Sequence, residues 1–204
     1  MPPPPELPPT AGILLAAGLS RRMGQPKLLL PLGGRPVVRH AAESLVAAGI
    51  SPLLVVVGGQ RAGVESALAG LPVAFVVNPN PEAGQASSLV AGVKALPAGT
   101  ASVIVALGDQ PHLPPEIVRD LRYALGGTGR VIAVPRYHDG LGNPVLFRSE
   151  VFAELLALCG DRGARSVVER DPSRVAVVTF DRPMPDDVDT PEDYARLRRH
   201  EGPV

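Results

Sequence analysis

The chain has 204 residues, of which 45% are hydrophobic and 20% charged, a size and composition typical of one globular domain. Its formal net charge is zero and 3% of its residues are aromatic, which argues against nucleic-acid binding, because that function needs basic surfaces and stacking platforms. No apolar stretch approaches the ~20 residues of a membrane span, and the first residues lack the pattern of a signal peptide. We therefore expect a cytoplasmic protein with no membrane partner.

Along the chain, predicted strands alternate with predicted helices. Residues 1–10 are rich in proline and are expected to form a disordered tail, followed by a single domain over residues 11–200. Apolar runs predict strands at 11–16, 53–57, 73–77, 102–107, 130–134, 144–147 and, as the last central strand, 175–178. Caps and prolines predict helices at 36–48, 64–68, 84–96, 114–125, 149–158, 163–170 and from 190 onward, with Ser149 and Thr190 as N-caps. This alternation predicts an α/β fold with a mostly parallel sheet and helices on both faces.

The first strand leads into a loop that combines two glycines, Gly18 and Gly24, with the cations Arg21, Arg22 and Lys27. Glycines let the backbone approach a ligand closely, and backbone N–H groups with nearby cations suit a polyphosphate. Five residues separate the two glycines, so the loop is not a Walker motif. Its composition alone leaves two hypotheses open, a phosphate site and a basic surface turn.

Acidic side chains follow the fourth strand and precede the last helix. Asp109 comes directly after the apolar run at 102–107, where a carboxylate is costly unless something compensates its charge. Mg²⁺ suits such a position, because it binds one or two carboxylates together with phosphate oxygens and waters. A helix-capping turn is the simpler alternative. Asp189 is the better candidate for a second ligand, although spacing alone does not separate it from Asp187.

Three further segments carry polar groups that could contact a ligand. Residues 84–88 begin a predicted helix with Gln85, Ser87 and Ser88, which could contact a base or ribose, or could only satisfy free N–H groups of the helix. The glycine-rich segments 140–144 and 160–165 could hold a second substrate or form ordinary turns. The four histidines have no metal-ligand spacing, and no Ser/His/Asp group supports hydrolase chemistry.

The single cysteine of the chain is interpreted as a structural residue. Cys159 is the only cysteine in the sequence, so no intrachain disulfide can form, which suits a reducing compartment. Because Cys159 ends an apolar run that begins at Leu155, its thiol is expected to be packed in the interior.

Five blocks, taken in order, resemble nucleotidyltransferases of the molybdenum-cofactor type. They lie at 15–27, 108–111, 144–147, 160–165 and 187–193. Within that family the chain is most similar to the cytidylyltransferases. The related guanylyltransferases usually have Leu-Ala-Gly-Gly where this chain has Leu15-Ala16-Ala17-Gly18, and Asn-Thr-Pro in place of residues 189–191.

The resemblance covers residues 11–197 and implies a Rossmann-like nucleotidyltransferase fold. It implies Mg²⁺-dependent transfer of a nucleoside monophosphate, from CTP, to the terminal phosphate of molybdenum-loaded molybdopterin, with release of pyrophosphate. A downstream molybdoenzyme or its chaperone is the implied receiving partner. The matching nucleotide-binding positions are Leu15, Ala16, Ala17, Gly18, Ser20, Arg21, Arg22, Gly24, Lys27, Asn78, Gln85, Ser87, Ser88 and Asp109. The implied catalytic residues are Arg21, Lys27, Asp109 and Asp189, with Asp109 and Asp189 as metal ligands, and the implied acceptor-binding residues are Gly142, Asn143, Asp161 and Arg165.

Some positions depart from the family pattern. Asn143 stands where relatives often have histidine, Ala83 where an aromatic is frequent, and His112 where an apolar residue is usual. Because the nucleotide loop is intact, these differences bear mainly on the acceptor. The alternatives are a guanylyltransferase, a sugar-phosphate nucleotidylyltransferase of the same fold, and a non-catalytic nucleotide-binding chaperone of the cofactor.

Overall fold

The chain folds around a mostly parallel β-sheet, which the computed structural model describes within residues 9–200. The strands are β1 (Ala11–Ala16), β2 (Pro31–Leu32), β3 (Arg35–Pro36), β4 (Leu53–Val57), β5 (Val73–Val77), β6 (Ser102–Leu107), β7 (Ile132–Tyr137), β8 (Gly140–Leu141), β9 (Val145–Arg148) and β10 (Val175–Thr179). The α-helices are α1 (Val37–Ala47), α2 (Arg61–Ala67), α3 (Gln85–Lys94), α4 (Pro115–Gly127), α5 (Phe152–Leu156), α6 (Arg165–Arg170) and α7 (Pro191–His200). In the described part of the chain, β2 and β3 form a separate hairpin.

The main sheet has the strand order β10-β7-β9-β6-β1-β4-β5, with β8 paired to β7. Along this path, β9 is antiparallel to both of its neighbours, and the other pairs are parallel. The predicted mostly parallel sheet is therefore confirmed. The chain leaves β1 toward β4 and β5 and later returns to place β6 on the other side of β1, so the order reverses there. Ligands bind at such a switch point, beyond the carboxyl ends of the strands.

Helices cover both faces of this sheet, as predicted. Leu14 of β1 packs on one side with apolar residues of α1 and α4, and its neighbour Ile13 packs on the other side with residues of α3 and α5. Successive strand residues point to opposite faces, so β1 is apolar on both and is almost fully buried. This burial holds the end of β1, where the glycine loop begins, in one position.

The ends of the fold differ in part from expectation. Residues 1–8 of the predicted tail lie outside the described residues. Thr10, which was also assigned to the tail, is 2% exposed and its hydroxyl lies 3.1 Å from that of Ser102. At the other end, Thr190 caps α7 as predicted, since its Oγ1 accepts from the backbone N–H of Asp193 at 3.2 Å.

Three local predictions near residues 149–178 are wrong. Ser149 caps no helix, because a 3-10 turn at 149–151 precedes α5 and the hydroxyl points to Glu150 instead. The helix then ends at Leu156, so Cys159 lies in the following loop and is exposed rather than buried. β10 is not central but lies at the sheet edge beside β7, so that one of its two hydrogen-bonding edges has no neighbouring strand. Within residues 9–200, no helix has the length and apolar character that crossing a bilayer requires.

Candidate active site

A cleft of about 380 Å³ opens at the carboxyl edge of the sheet, where the loops after β1 and β6 meet the start of α3. β1 and β6 are neighbours, with Leu15 paired to Leu107, so the two loops leave the sheet side by side. The sequence-predicted residues that line this cleft are Leu15, Ala17, Gly18, Ser20, Arg21, Arg22, Lys27, Gln85, Ser88, Asp109, Asp161 and Asp189. Three cations and four carboxylates therefore share one cleft, although residues 27, 109 and 189 are far apart in sequence.

The loop after β1 is held by a tight turn centred on Ser20. Ser20 has φ +50 and Gly24 has φ +69, a region that side chains disfavour. The Ser20 carbonyl accepts from the backbone N–H groups of Met23 and Gly24 at 3.2 and 3.1 Å, and its hydroxyl accepts from the backbone N–H of Lys27 at 3.3 Å. Met23 is buried against Val188 and other apolar side chains. These contacts fix where the loop ends and so direct Lys27 into the cleft.

A compact charged centre lies at the bottom of the cleft. The Lys27 ammonium donates to Asp109 Oδ2 at 2.5 Å and to Asp189 Oδ1 at 2.7 Å. Arg22 donates to the other oxygen of Asp189 at 2.8 Å. Val188 ties the two acidic segments together, because its backbone N–H donates to the Asp109 carbonyl at 2.9 Å. Asp109 and Asp189 thus share Lys27 as a hydrogen-bond partner, while their role as metal ligands stays a prediction.

These contacts shift the pKa values of the charged groups. Burial acts to lower the pKa of Lys27, but the charges and hydrogen bonds of Asp109 and Asp189 outweigh it, and the net pKa is raised. Burial acts to raise the pKa of Asp189, but Lys27 and Arg22 outweigh it, and the net pKa is lowered. Both shifts favour the charged forms, so the centre is a true ion-pair network.

Asp187 and Gln110 flank this centre and were not among the predicted site residues. Burial, then the charges of Asp109 and Asp189, raise the pKa of Asp187 to about 6, with the Gln110 side chain opposing the shift. Gln110 is 1% exposed, and neither its amide atoms nor Asp187 Oδ1 has a hydrogen-bond partner of normal geometry in the described residues. The signal in the sequence was their place in the blocks at 108–111 and 187–193. The charges of Asp109 and Asp189 thus act on a third, largely buried carboxyl close behind them.

Four of the predicted nucleotide-binding residues do not line the cleft: Ala16, Gly24, Asn78 and Ser87. Ala16 is buried within the core. Asn78 is 4% exposed, and its amide donates to the Ser87 and Ser88 hydroxyls at 2.8 and 3.0 Å. Asn78 therefore organises the first turn of α3, and any contact of these four residues with a nucleotide stays a prediction.

The start of α3 packs closely on the segment 160–163. The backbone N–H of Ala86 donates to the Gly160 carbonyl at 3.1 Å. Gly84 has φ +93, and a Cβ there would lie 2.6 Å from the Gly160 oxygen. Gly163 has φ +51, and a Cβ there would lie 2.6 Å from Gln85 Oε1. Close approach to backbone thus requires glycine at position 84, whereas at Gly163 the positive φ disfavours other residues and the near atom ends a flexible side chain. The interlocked segments form a wall of the cleft.

A second cavity, of about 960 Å³, lies on the far side of this wall. All four predicted acceptor residues, Gly142, Asn143, Asp161 and Arg165, line it. Its apolar surface includes Leu89, Val105, Val134, Val145 and Val168. The two cavities share Leu15, Gln85, Leu107 and Asp161, so they adjoin at the end of β1. Glu82 in the first cavity and Arg162 in the second also line these spaces and were not predicted.

The donor set of the charged centre suits a hard divalent cation. Across residues 9–200, no three His, Cys, Asp or Glu side chains are grouped as a metal site. Asp109 and Asp189 nevertheless both lie within 2.7 Å of one ammonium, and a carboxylate pair is what Mg²⁺ takes when substrate phosphates and waters supply the remaining ligands. These two residues could therefore hold such an ion.

Comparison with known proteins identifies the family. Residues 12–176 match the model of the MobA-like NTP transferase domain. The chain is 32% identical over 200 residues to purine catabolism protein PucB of Bacillus subtilis, covering 92% of this chain and 95% of that protein. It is 34% identical over 204 residues to nicotine blue oxidoreductase of Paenarthrobacter nicotinovorans, covering 94% of this chain and 98% of that protein. The names of these relatives describe different processes.

Solved structures agree with this assignment. The crystal structure of Rv0371c from Mycobacterium tuberculosis superposes with a TM-score of 0.82 at 34% identity and covers 94% of this chain and 98% of that one. A manganese complex of the same protein superposes with a TM-score of 0.79 at 32% identity, with the same coverage. The chain belongs to the MobA-like NTP transferase family and is a nucleotidyltransferase.

Proposed function

We propose that this protein transfers the cytidine monophosphate unit of CTP to the terminal phosphate of molybdenum-loaded molybdopterin, with release of pyrophosphate. The observation that carries the proposal is the pair of adjoining cavities. One has the cationic glycine loop facing the carboxylates Asp109 and Asp189, and the other has a largely apolar surface with polar residues at its rim. A nucleotide in the first and an acceptor in the second would meet at Leu15 and Asp161, which belong to both.

The chemistry of this transfer is the attack of one anion on another. The acceptor phosphate attacks the α-phosphorus of the nucleotide, the bond to the β-phosphate breaks, and pyrophosphate leaves with its charge. Catalysis of this kind depends on in-line positioning and on charge neutralisation. Arg21, Arg22 and Lys27 all face the nucleotide cavity and would balance the phosphate charges. Because the two substrates would lie in adjoining cavities, the acceptor phosphate can attack the nucleotide directly, and no covalent intermediate on the protein is needed.

Asp109 and Asp189 would hold a divalent cation, proposed to be Mg²⁺. When bound, such an ion neutralises phosphate charge and orients the reacting oxygens. The manganese complex of the similar Rv0371c supports a divalent cation in this fold. The task of this chain's own residues is to bring two carboxylates together at the floor of the cleft, which the loop after β6 and the segment before α7 do.

The choice of CTP rests on two positions in the nucleotide motifs. Ala17 stands where guanylyltransferases usually have glycine, and it lines the nucleotide cavity while remaining 5% exposed. Asp189 stands where they usually have asparagine, and it accepts from Lys27. Both differences lie at the site itself, which supports the cytidylyltransferase assignment over GTP.

The choice of acceptor rests on the second cavity. Its largely apolar lining and a rim with Asn143, Asp161 and Arg165 suit a flat heterocycle that carries polar substituents and a phosphate. A sugar phosphate is the alternative acceptor, which would leave much of the apolar surface without a partner. The product would pass to a molybdoenzyme or to its chaperone.

Pyrophosphate release tests this function directly. The protein is incubated with Mg²⁺, molybdenum-loaded molybdopterin and CTP, GTP, ATP or UTP in separate reactions, with Lys94→Met as a surface control for Lys27→Met. We expect release with CTP, unchanged in the control and lost in Lys27→Met. Release with GTP alone would keep the family and overturn the base assignment. Saturable CTP binding without release on any acceptor would favour the cofactor-chaperone alternative.

A further inference from the structure

The Lys27 ammonium occupies the space between the two carboxylates that would hold the metal. It lies 2.5 Å from Asp109 Oδ2 and 2.7 Å from Asp189 Oδ1. The exposed fractions of these side chains are 11% for Lys27, 19% for Asp109 and 31% for Asp189. One ammonium thus uses an oxygen of each carboxylate, and it does so largely out of solvent. A cation that bound both residues would have to displace it.

Lys27 is directed to this place by its backbone. The residue begins a 3-10 turn at Lys27–Leu29, and its N–H is anchored on the Ser20 hydroxyl. The side chain, by contrast, extends along the cleft that Arg21 and Arg22 also line. An ammonium on a flexible four-carbon stem can exchange one anionic partner for another while its backbone stays in place. The phosphates of a nucleotide in the cleft are such a partner.

Charge repulsion prevents the Lys27 ammonium and a divalent metal ion from binding Asp109 and Asp189 at the same time. Lys27 and Arg22 already occupy three of the four carboxylate oxygens of Asp109 and Asp189. A divalent ion added to this arrangement would face an ammonium at close range, and like charges at such distances repel strongly where solvent is excluded. A triphosphate changes the balance, because it supplies new negative charge for Lys27 and Arg22 and leaves the carboxylates to the metal.

We propose that Lys27 keeps the Asp109–Asp189 pair closed to divalent cations until a nucleotide triphosphate draws its ammonium away, so that metal binds together with the nucleotide rather than before it. This inference rests on the proposed function, since it takes the two carboxylates as the metal ligands. It predicts that removing the ammonium opens the pair. The protein would then bind a divalent cation without nucleotide.

The test uses Mn²⁺ as the probe, with the free ion followed by electron paramagnetic resonance. Titrations compare wild type, Lys27→Met and the matched control Lys94→Met, which removes the other lysine of the chain from an exposed position on α3. Each is titrated alone and with CTP but no acceptor, after subtraction of the Mn²⁺–CTP complex measured without protein. Circular dichroism checks folding, and Lys27→Gln serves as a second variant should Lys27→Met not fold.

We expect wild type and Lys94→Met to bind Mn²⁺ weakly alone and about tenfold or more tightly with CTP, a coupling of ordinary size for linked ligands. Lys27→Met should bind Mn²⁺ alone at least about tenfold more tightly than wild type. Adding Asp109→Asn to that variant should abolish the gain, which assigns it to this pair. Equal Mn²⁺ affinity of Lys27→Met and wild type without nucleotide would overturn the inference.

The metal titration separates this inference from the proposed function. It requires neither acceptor nor turnover, so a failure to transfer cytidylate to molybdopterin leaves it intact. Conversely, a protein that releases pyrophosphate with CTP but binds Mn²⁺ equally well with and without Lys27 retains the function and refutes the inference.

Discussion

Substitution of Gly84 by alanine tests whether the interlock between α3 and the segment 160–163 supports both cavities. Gly84 has φ +93 and ψ 174, a conformation open almost only to glycine. A Cβ there would lie 2.6 Å from the Gly160 oxygen and 2.7 Å from its carbonyl carbon. Both are backbone atoms, so rotation of a side chain cannot relieve the overlap.

The expected cost combines two effects. A non-glycine residue in such a backbone region costs ~1–3 kcal/mol, and forcing extra volume into packed structure costs ~1–3 kcal/mol. Partial movement of the loop reduces the sum, and alanine also restricts the unfolded chain, so we expect a net loss of about 2–4 kcal/mol in the free energy of unfolding. For a chain of this size that corresponds to a fall in Tm of roughly 5–15 °C.

Thermal and urea unfolding measure the loss, with Gly126→Ala as the matched control. Gly126 lies in α4 with no atom within 4 Å of an added Cβ, so alanine should be neutral or stabilise by up to about 1 kcal/mol. Because Gln85 and Ser88 line the nucleotide cavity, CTP affinity should fall in Gly84→Ala and remain unchanged in Gly126→Ala. A Gly84→Ala protein with wild-type stability and wild-type CTP affinity would refute the account of the interlock.

Three further predictions follow from the charged centre and from α7. Asp109→Asn should lower pyrophosphate release by ~10³-fold or more with the fold retained, and near-normal release would remove Asp109 from the reaction. The folded state holds the Asp187 proton up to about pH 6, whereas its ordinary pKa is 3.8. Ionised Asp187 therefore lowers the free energy of unfolding, by an amount that grows from pH 4 to 6 and reaches its full value above pH 6. The difference corresponds to ~3 kcal/mol, which partial solvent exposure reduces to ~1–2 kcal/mol. Asp187→Asn should therefore be more stable than wild type at pH 7, with the gap closing by pH 4 in urea titrations; a gap that is constant with pH would contradict this. Thr190→Ala should cost ~1 kcal/mol by removing the α7 cap, while Ser149→Ala, whose hydroxyl caps no helix, should leave Tm nearly unchanged, and equal effects of the two would argue against the cap.

The charged centre also explains why this part of the fold is sensitive to substitution. Lys27 and Asp109 are largely buried, and a buried ion pair tolerates the loss of either partner poorly, because the remaining charge has no water to solvate it. The same three side chains, Lys27, Asp109 and Asp189, line the cleft in which we propose that the nucleotide binds. Site chemistry and local stability are therefore coupled here.

The sequence by itself determined the strand cores and the order of the site motifs. Apolar runs at 11–16, 53–57, 73–77 and 102–107 coincide with β1, β4, β5 and β6. β1, β4 and β6 are buried on both faces, which favours apolar residues throughout. The edge strand β5 is only partly buried, and its valine-rich run has a high strand propensity of its own. Thr190 followed by Pro191 was also sufficient to predict the start of α7, because the hydrogen bonds of a capping box join residues only three positions apart.

Only the tertiary structure decided what depends on contacts between distant segments. Lys27 meets residues 82 and 162 positions further along the chain, and no local pattern distinguishes Asp189 from Asp187. The exposure of Cys159 and the edge position of β10 depend on where the chain places neighbours rather than on their own composition. Short-range preferences set where strands and helices form, whereas the packing of the sheet's carboxyl edge sets which charges face each other and hence where this chemistry takes place.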